Sequence, residues 1–193
     1  MSRLDILVFD GFDELDAIAP FELLRAAGLD ARLVVLAGRS LRVTARHGLV
    51  MEAHASLGST DVAAGDWVIA VGGGYVAGAS SGVRPEIERG EIPAFFAEVR
   101  SRGALLGSVC TGAMLLAAAG LLRDRRAITH RSAIADLERA GATIVHARVV
   151  DDGDVVTSGG VTSGLDFALH MIGRLLGEDA RDRASERAEY PPR

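Results

Sequence analysis

Apolar positions in this chain come in short solid blocks separated by longer stretches with helical spacing. Leu4–Phe9, Ala31–Ala37, Trp67–Val71 and Leu105–Val109 are blocks of strand length with few polar breaks, the pattern of strands buried on both faces. Between them lie helical stretches. Glu14–Ala27 is closed by Gly28, and Pro85–Arg102 is amphipathic but interrupted at Gly90 and Pro93. An Ala- and Leu-rich helix follows Cys110, and Ser132–Ala140 is closed by Gly141. Arg42–Met51, with a turn near His47-Gly48, reads as a short hairpin. So do Val145–Val150 and Val155–Thr157 around Asp152-Gly153. Ala127–Thr129 is a short strand and Thr162–Leu176 the last long helix. The charged tail from Glu178 to Arg193 is expected to form a short docking helix with a frayed Tyr190-Pro-Pro-Arg end.

Strands alternating with helices predict an α/β fold with a mostly parallel sheet. At 193 residues the chain is expected to be one domain over 1–193, with no internal repeat and no linker. A net charge of −5 without a basic cluster argues against nucleic acid as a partner. No apolar run approaches the ~18 residues of a membrane span, and the charged N-terminus does not read as a signal peptide, so a cytoplasmic location is expected. A single cysteine excludes a disulfide framework. No paired His/Asp ligand spacing appears, so neither a metal nor another cofactor is expected.

That cysteine, Cys110, carries the strongest chemical signal. It sits where the Leu105–Val109 block turns into a helix through Cys110-Thr111-Gly112. A thiol facing the free N–H groups of a helix start is expected to ionise easily and act as a nucleophile. Gly107 and Gly112 flank it and suit a sharp turn. Without that setting, a lone cysteine is more often a small buried hydrophobe.

Ligands in open α/β sheets bind beyond the carboxyl ends of the strands. Gly11–Asp16, Gly72-Gly73-Gly74, Cys110-Thr111-Gly112 and Ser158-Gly159-Gly160 all fall at such ends. The backbone N–H groups of Gly72-Gly73-Gly74, with that of Thr111, are candidates for an anion hole, and a tight turn explains these glycines equally well. Asp13 and Glu14 read first as helix caps, whereas Asp16 stays open as an acid or base beside Cys110. His130 follows a strand and could reach the same pocket; His47, His54, His146 and His170 read as structural.

Gly11-Phe-Asp-Glu-Leu-Asp16-Ala-Ile-Ala-Pro20-Phe-Glu22 resembles the G-x-x-x-L-D-x-x-G-P-x-E segment of the ThiJ/PfpI superfamily, with Ala19 at the usual glycine. Ser108-Val-Cys110-Thr-Gly112, Ala117–Leu122, Thr129-His130 and Arg148–Leu169 resemble the same superfamily. The resemblance implies a three-layer, doubly wound sandwich of flavodoxin-like or class I glutamine amidotransferase-like type, and a homodimer. Within it the chain looks like the isocyanide hydratases. Asp16 stands where redox-sensing and glyoxalase-type members carry glutamate. Thr111 stands where PfpI-type peptidases carry the histidine of a Cys–His pair. Thr129-His130-Arg131 departs from the subgroup's Thr-His-Trp, which makes one pocket wall polar if Arg131 enters.

The resemblance implies a cofactor-free hydratase acting on a small-molecule substrate, with Cys110 as nucleophile, Asp16 as proton carrier and Thr111 orienting Asp16 or water. Gly73, Gly74, His130 and Gly160 would line the substrate and oxyanion pocket. A glyoxalase- or amidase-type enzyme, or a redox sensor working through Cys110 oxidation, are the alternatives. The same domain occurs in AraC-type regulators, but no helix-turn-helix is expected after Leu176.

Overall fold

The computed structural model describes residues 2–191. Strands β1 (Leu4–Leu7) and β2 (Ala31–Leu36) precede the hairpin β3 (Arg42–Thr44) and β4 (Val50–Glu52). Then come β5 (Ala55–Leu57), β6 (Trp67–Ala70), β7 (Leu105–Ser108), β8 (Arg126–Ala127), β9 (Thr143–Ile144), β10 (Val149–Asp151) and β11 (Val155–Ser158). The helices are α1 (Glu14–Ala26), α2 (Val83–Arg89), α3 (Glu91–Ser101), α4 (Ala113–Ala118), α5 (Ile134–Arg139), α6 (Ser163–Leu176) and α7 (Glu178–Arg187).

Seven strands form the central sheet in the order β10-β11-β7-β6-β1-β2-β5. All pairings are parallel except β10 with β11. Every residue of β1 and β6 is buried, which explains why these strands read as apolar blocks rather than alternating ones. The one charge in β1, Asp5, receives Arg3 Nε at 2.7 Å and Arg32 Nε at 2.9 Å, so its burial is compensated. Helices α1, α6 and α7 pack together, as do α2, α3 and α4. The expected α/β sandwich with a mainly parallel sheet is therefore the observed fold. The winding reverses between β1 and β6, so the carboxyl ends of β1, β6 and β7 open onto one crevice.

Several elements differ from expectation. Gly90 adopts φ 78° and divides Pro85–Arg102 into α2 and α3, because a left-handed residue ends one helix before the next starts. The Ala127–Thr129 strand is shorter and pairs, as β8, with β9 outside the main sheet. Val145–Val150 is not one strand: pairing ends at Ile144 and resumes in β10. The three-residue β5 escapes sequence reading because so short a segment has no period. Gly107 lies inside β7, not at the turn. A Cβ there would stand 2.7 Å from Phe167 Cζ, so glycine makes room for the ring from α6.

The tail does dock. In the last turns of α7 the Ser185 hydroxyl donates to the Tyr190 carbonyl at 2.6 Å, and beyond the helix the Tyr190 hydroxyl donates to Asp166 Oδ2 at 3.1 Å. Of the frayed end expected over Tyr190-Pro-Pro-Arg, Tyr190 is thus held against the fold, and Pro192 and Arg193 lie outside the described residues.

Candidate active site

Strand β7 delivers Cys110 to the crevice, and the chain then turns sharply. Cys110 itself sits at φ 58°, a left-handed conformation that costs a non-glycine residue about 1–2 kcal/mol. Two hydrogen bonds hold it there. Its N–H donates to Gly159 O at 2.8 Å, and its carbonyl accepts from Thr129 Oγ1 at 2.9 Å. Gly112 is needed beside it, since a Cβ would lie 2.2 Å from Ala70 O. The helix beyond is brief: a 3-10 turn over Cys110–Gly112 leads into six residues of α4.

Asp16 reaches this cysteine from the first turn of α1. It is wholly buried. Gly72 N–H donates to Asp16 Oδ2 at 3.0 Å, while Oδ1 has no partner of hydrogen-bonding geometry among the described residues. Burial, and next the charge of Asp13, push the Asp16 carboxyl up to about 8, although interactions with the Cys110 thiol and Gly72 N–H act the other way. A carboxyl in that state is protonated at neutral pH and available as a donor.

The surroundings of Cys110 oppose the low-pKa thiolate expected from its place at a helix start. Burial, and then the Asp16 charge, push the Cys110 thiol up to about 12. Interactions with the N–H groups of Val161 and Thr111 lower it only in part. Desolvation outweighs the dipole of so short a helix. The resting site is therefore a neutral carboxyl beside a neutral thiol.

Gly72, between Asp16 and the cysteine turn, is where packing is tightest. A Cβ on it would stand 2.6 Å from Thr111 N and 2.7 Å from both Asp16 Oδ2 and Thr111 Oγ1. Thr111 does not orient Asp16: its hydroxyl accepts from Gly73 N–H at 3.1 Å. That bond also withdraws Gly73 N–H from the expected anion hole. Gly74, at φ 64°, packs against Ser81, and its N–H has no partner among the described residues. Gly160 lies flat on His130, where a Cβ would meet the ring's Cδ2 at 2.3 Å. His130 turns Nδ1 to Ser132, at 2.8 Å from the hydroxyl, and makes no hydrogen bond to Cys110.

A cavity of about 220 Å³ opens over this group, with Cys110, Thr111, Gly73, Gly74 and His130 among its walls. Asp16, which is buried, and Gly160 are not among the residues that line it. A hollow of about 360 Å³ beside Arg39 and Glu86 is roomier but holds no cysteine. Arg131 is exposed and stands outside the cavity.

The hairpin β3–β4 supplies wall residues that sequence reading missed, Arg46 and His47. Glu14 does not cap α1. Its carboxylate accepts from His47 N–H at 2.7 Å and faces His47 Nδ1 at 2.7 Å, contacts that hold it below its usual range. Asp13 occupies the N-cap position without a side-chain capping bond. Together Asp13, Glu14 and His47 bring ligand-type atoms within 4.8 Å of one another. Only the fold makes this cluster, since His47 is distant in sequence from the other two.

This geometry has parallels among known proteins. The model of the DJ-1/PfpI family matches residues 2–174. The chain belongs to that family. A DJ-1/PfpI relative from Pseudomonas putida, named isonitrile hydratase, is 33% identical over 190 residues, covering 98% of this chain and 79% of its own. The crystal structure of a ThiJ/PfpI family protein from Pseudomonas syringae superposes with a TM-score of 0.85 at 29% identity. That match covers 100% of this chain and 77% of the other. A DJ-1 superfamily protein from Salmonella typhimurium gives 0.83 at 30% identity over 99% and 100% of the two chains.

Proposed function

We propose that this protein is a hydratase that converts a small isonitrile to an N-substituted formamide through Cys110. The observation that carries the reading is the buried Asp16–Cys110 pair. Its carboxyl is poised near neutrality beside the only thiol of the chain. The likeness to isonitrile hydratase over nearly the whole chain supports the choice of substrate.

The chemistry needs one proton relay and no cofactor. As Cys110 Sγ bonds to the terminal isonitrile carbon, Asp16 gives its proton to that carbon and takes the thiol proton in exchange. The product is a thioimidate, S–CH=N–R, with the carboxyl again neutral. Water then adds across C=N, its hydroxyl going to carbon and its proton to nitrogen. The tetrahedral adduct collapses to formamide as the C–S bond breaks, and the hydroxyl proton returns to sulfur. A carboxyl near 8 suits this exchange, because it can give and regain a proton near neutral pH. Gly74 N–H is the free donor beside the reacting centre. His130, held by Ser132, lines the pocket rather than serving as base.

Incubation with p-nitrophenyl isocyanide, followed by formamide absorbance, tests the hydratase directly. Wild type is expected to turn over and Cys110→Ala to be inert, with an intact-mass adduct on wild type alone. Turnover by Cys110→Ala, or none by wild type, overturns the reading.

A further inference from the structure

The cavity over Cys110 is more polar than an uncharged isonitrile requires. Its hairpin wall carries Arg46, an exposed guanidinium with no carboxylate within ion-pairing distance among the described residues. Its neighbour His47 is engaged by Glu14. Arg46 is thus the one arginine lining the cavity, and it makes no ion pair among the described residues. Asp13, the other charged group in the walls without such a partner, lies within 4.8 Å of the Glu14 and His47 ligand atoms, and its charge also helps hold the Asp16 proton. The volume, about 220 Å³, is below the roughly 300–1,000 Å³ of sites for drug-sized ligands. A molecule that touches Cys110 there is small enough for its far end to lie near the mouth.

We propose that the substrate carries an anionic group, a carboxylate, received by Arg46 while its electrophilic carbon meets Cys110. A planar guanidinium takes a carboxylate with two parallel hydrogen bonds, so Arg46 would set orientation as well as affinity. Arg46 is a specificity residue in this reading and takes no part in proton transfer. For the hydratase the preferred class becomes isocyano acids over their esters, an extension that rests on the proposed function. The charge preference itself does not depend on it.

Two measurements separate these ideas. The first alkylates Cys110 with iodoacetate or iodoacetamide, each forming an S–C bond and releasing iodide. Rates come from intact mass, which is unambiguous with a single cysteine, and are divided by the rates for free glutathione. Wild type is expected to favour the anionic reagent. Arg46→Ala should lower the iodoacetate-to-iodoacetamide ratio by about fivefold or more at low ionic strength, and 0.5 M salt should erase much of the difference. Arg46→Lys should retain part of the preference, and Asp13→Asn should increase it. A ratio that Arg46→Ala leaves in place overturns the proposal.

The second measurement compares isocyanoacetate with its methyl ester as substrates. A lower KM for the acid, lost in Arg46→Ala, supports the extension. Turnover of both with equal kcat/KM keeps the hydratase and refutes the charge selection. Charge-selective alkylation without any isonitrile turnover keeps the anion-binding role of Arg46 and refutes the hydratase.

Discussion

Replacing Asp16 with asparagine should make the protein more stable near neutral pH and strip it of most of its activity. In the folded chain the carboxyl is raised from 3.8 to about 8, chiefly by burial. Between those two values the unfolded chain has released the proton and the folded chain still holds it. Stability must then fall as pH rises, by about 1.4 kcal/mol per unit. The contribution is complete below pH 3.8 and lost as pH passes about 8. Asparagine has the same shape, can accept the Gly72 N–H bond, and does not ionise. Subtracting wild type from Asp16→Asn cancels every other titrating group. The difference should grow by about 3 kcal/mol from pH 5 to pH 7, roughly 5–10 °C in melting temperature for a chain of this length. Urea titrations or thermal melts at the two pH values measure it directly. Isonitrile turnover should meanwhile fall by about a hundredfold or more, because the amide cannot carry the proton. A stability difference that is the same at both pH values would refute the raised carboxyl and the relay built on it.

The same group predicts the rate profile. kcat should decline above pH 8 along a single-proton curve as Asp16 ionises, which stopped assays across pH 6–10 would resolve. Gly72→Ala forces a Cβ against Thr111 and Asp16 at 2.6–2.7 Å; it should cost about 1–3 kcal/mol in denaturant unfolding and most of the turnover. Thr111→Val leaves Gly73 N–H without its 3.1 Å acceptor, a loss of about 1–3 kcal/mol that Thr111→Ser should largely restore.

Much of the fold was legible because its strands are buried on both faces and written as solid apolar blocks. What failed were features decided by partners distant in sequence. β8 leaves the main sheet because Arg126–Ala127 finds Thr143–Ile144. The place of Cys110 at a strand end is a local signal, whereas local pattern left Asp16 open among several carboxylates and only the motif resemblance singled it out. The ionisation of the cysteine was not legible. It depends on how completely the packed chain removes water, and no local pattern reports that. Arg46 and His47 carry no chemical signature in sequence, and only the hairpin's placement over Cys110 brings them to the cavity.

The backbone grip on Cys110 also bears on how much of the chain the site needs. Both partners that hold its left-handed turn, Thr129 and Gly159, lie downstream in the chain. The shape of the cysteine turn therefore depends on the last third of the chain: a fragment ending before Thr129 lacks both bonds, and the docking of β11 beside β7 is what brings Gly159 to Cys110.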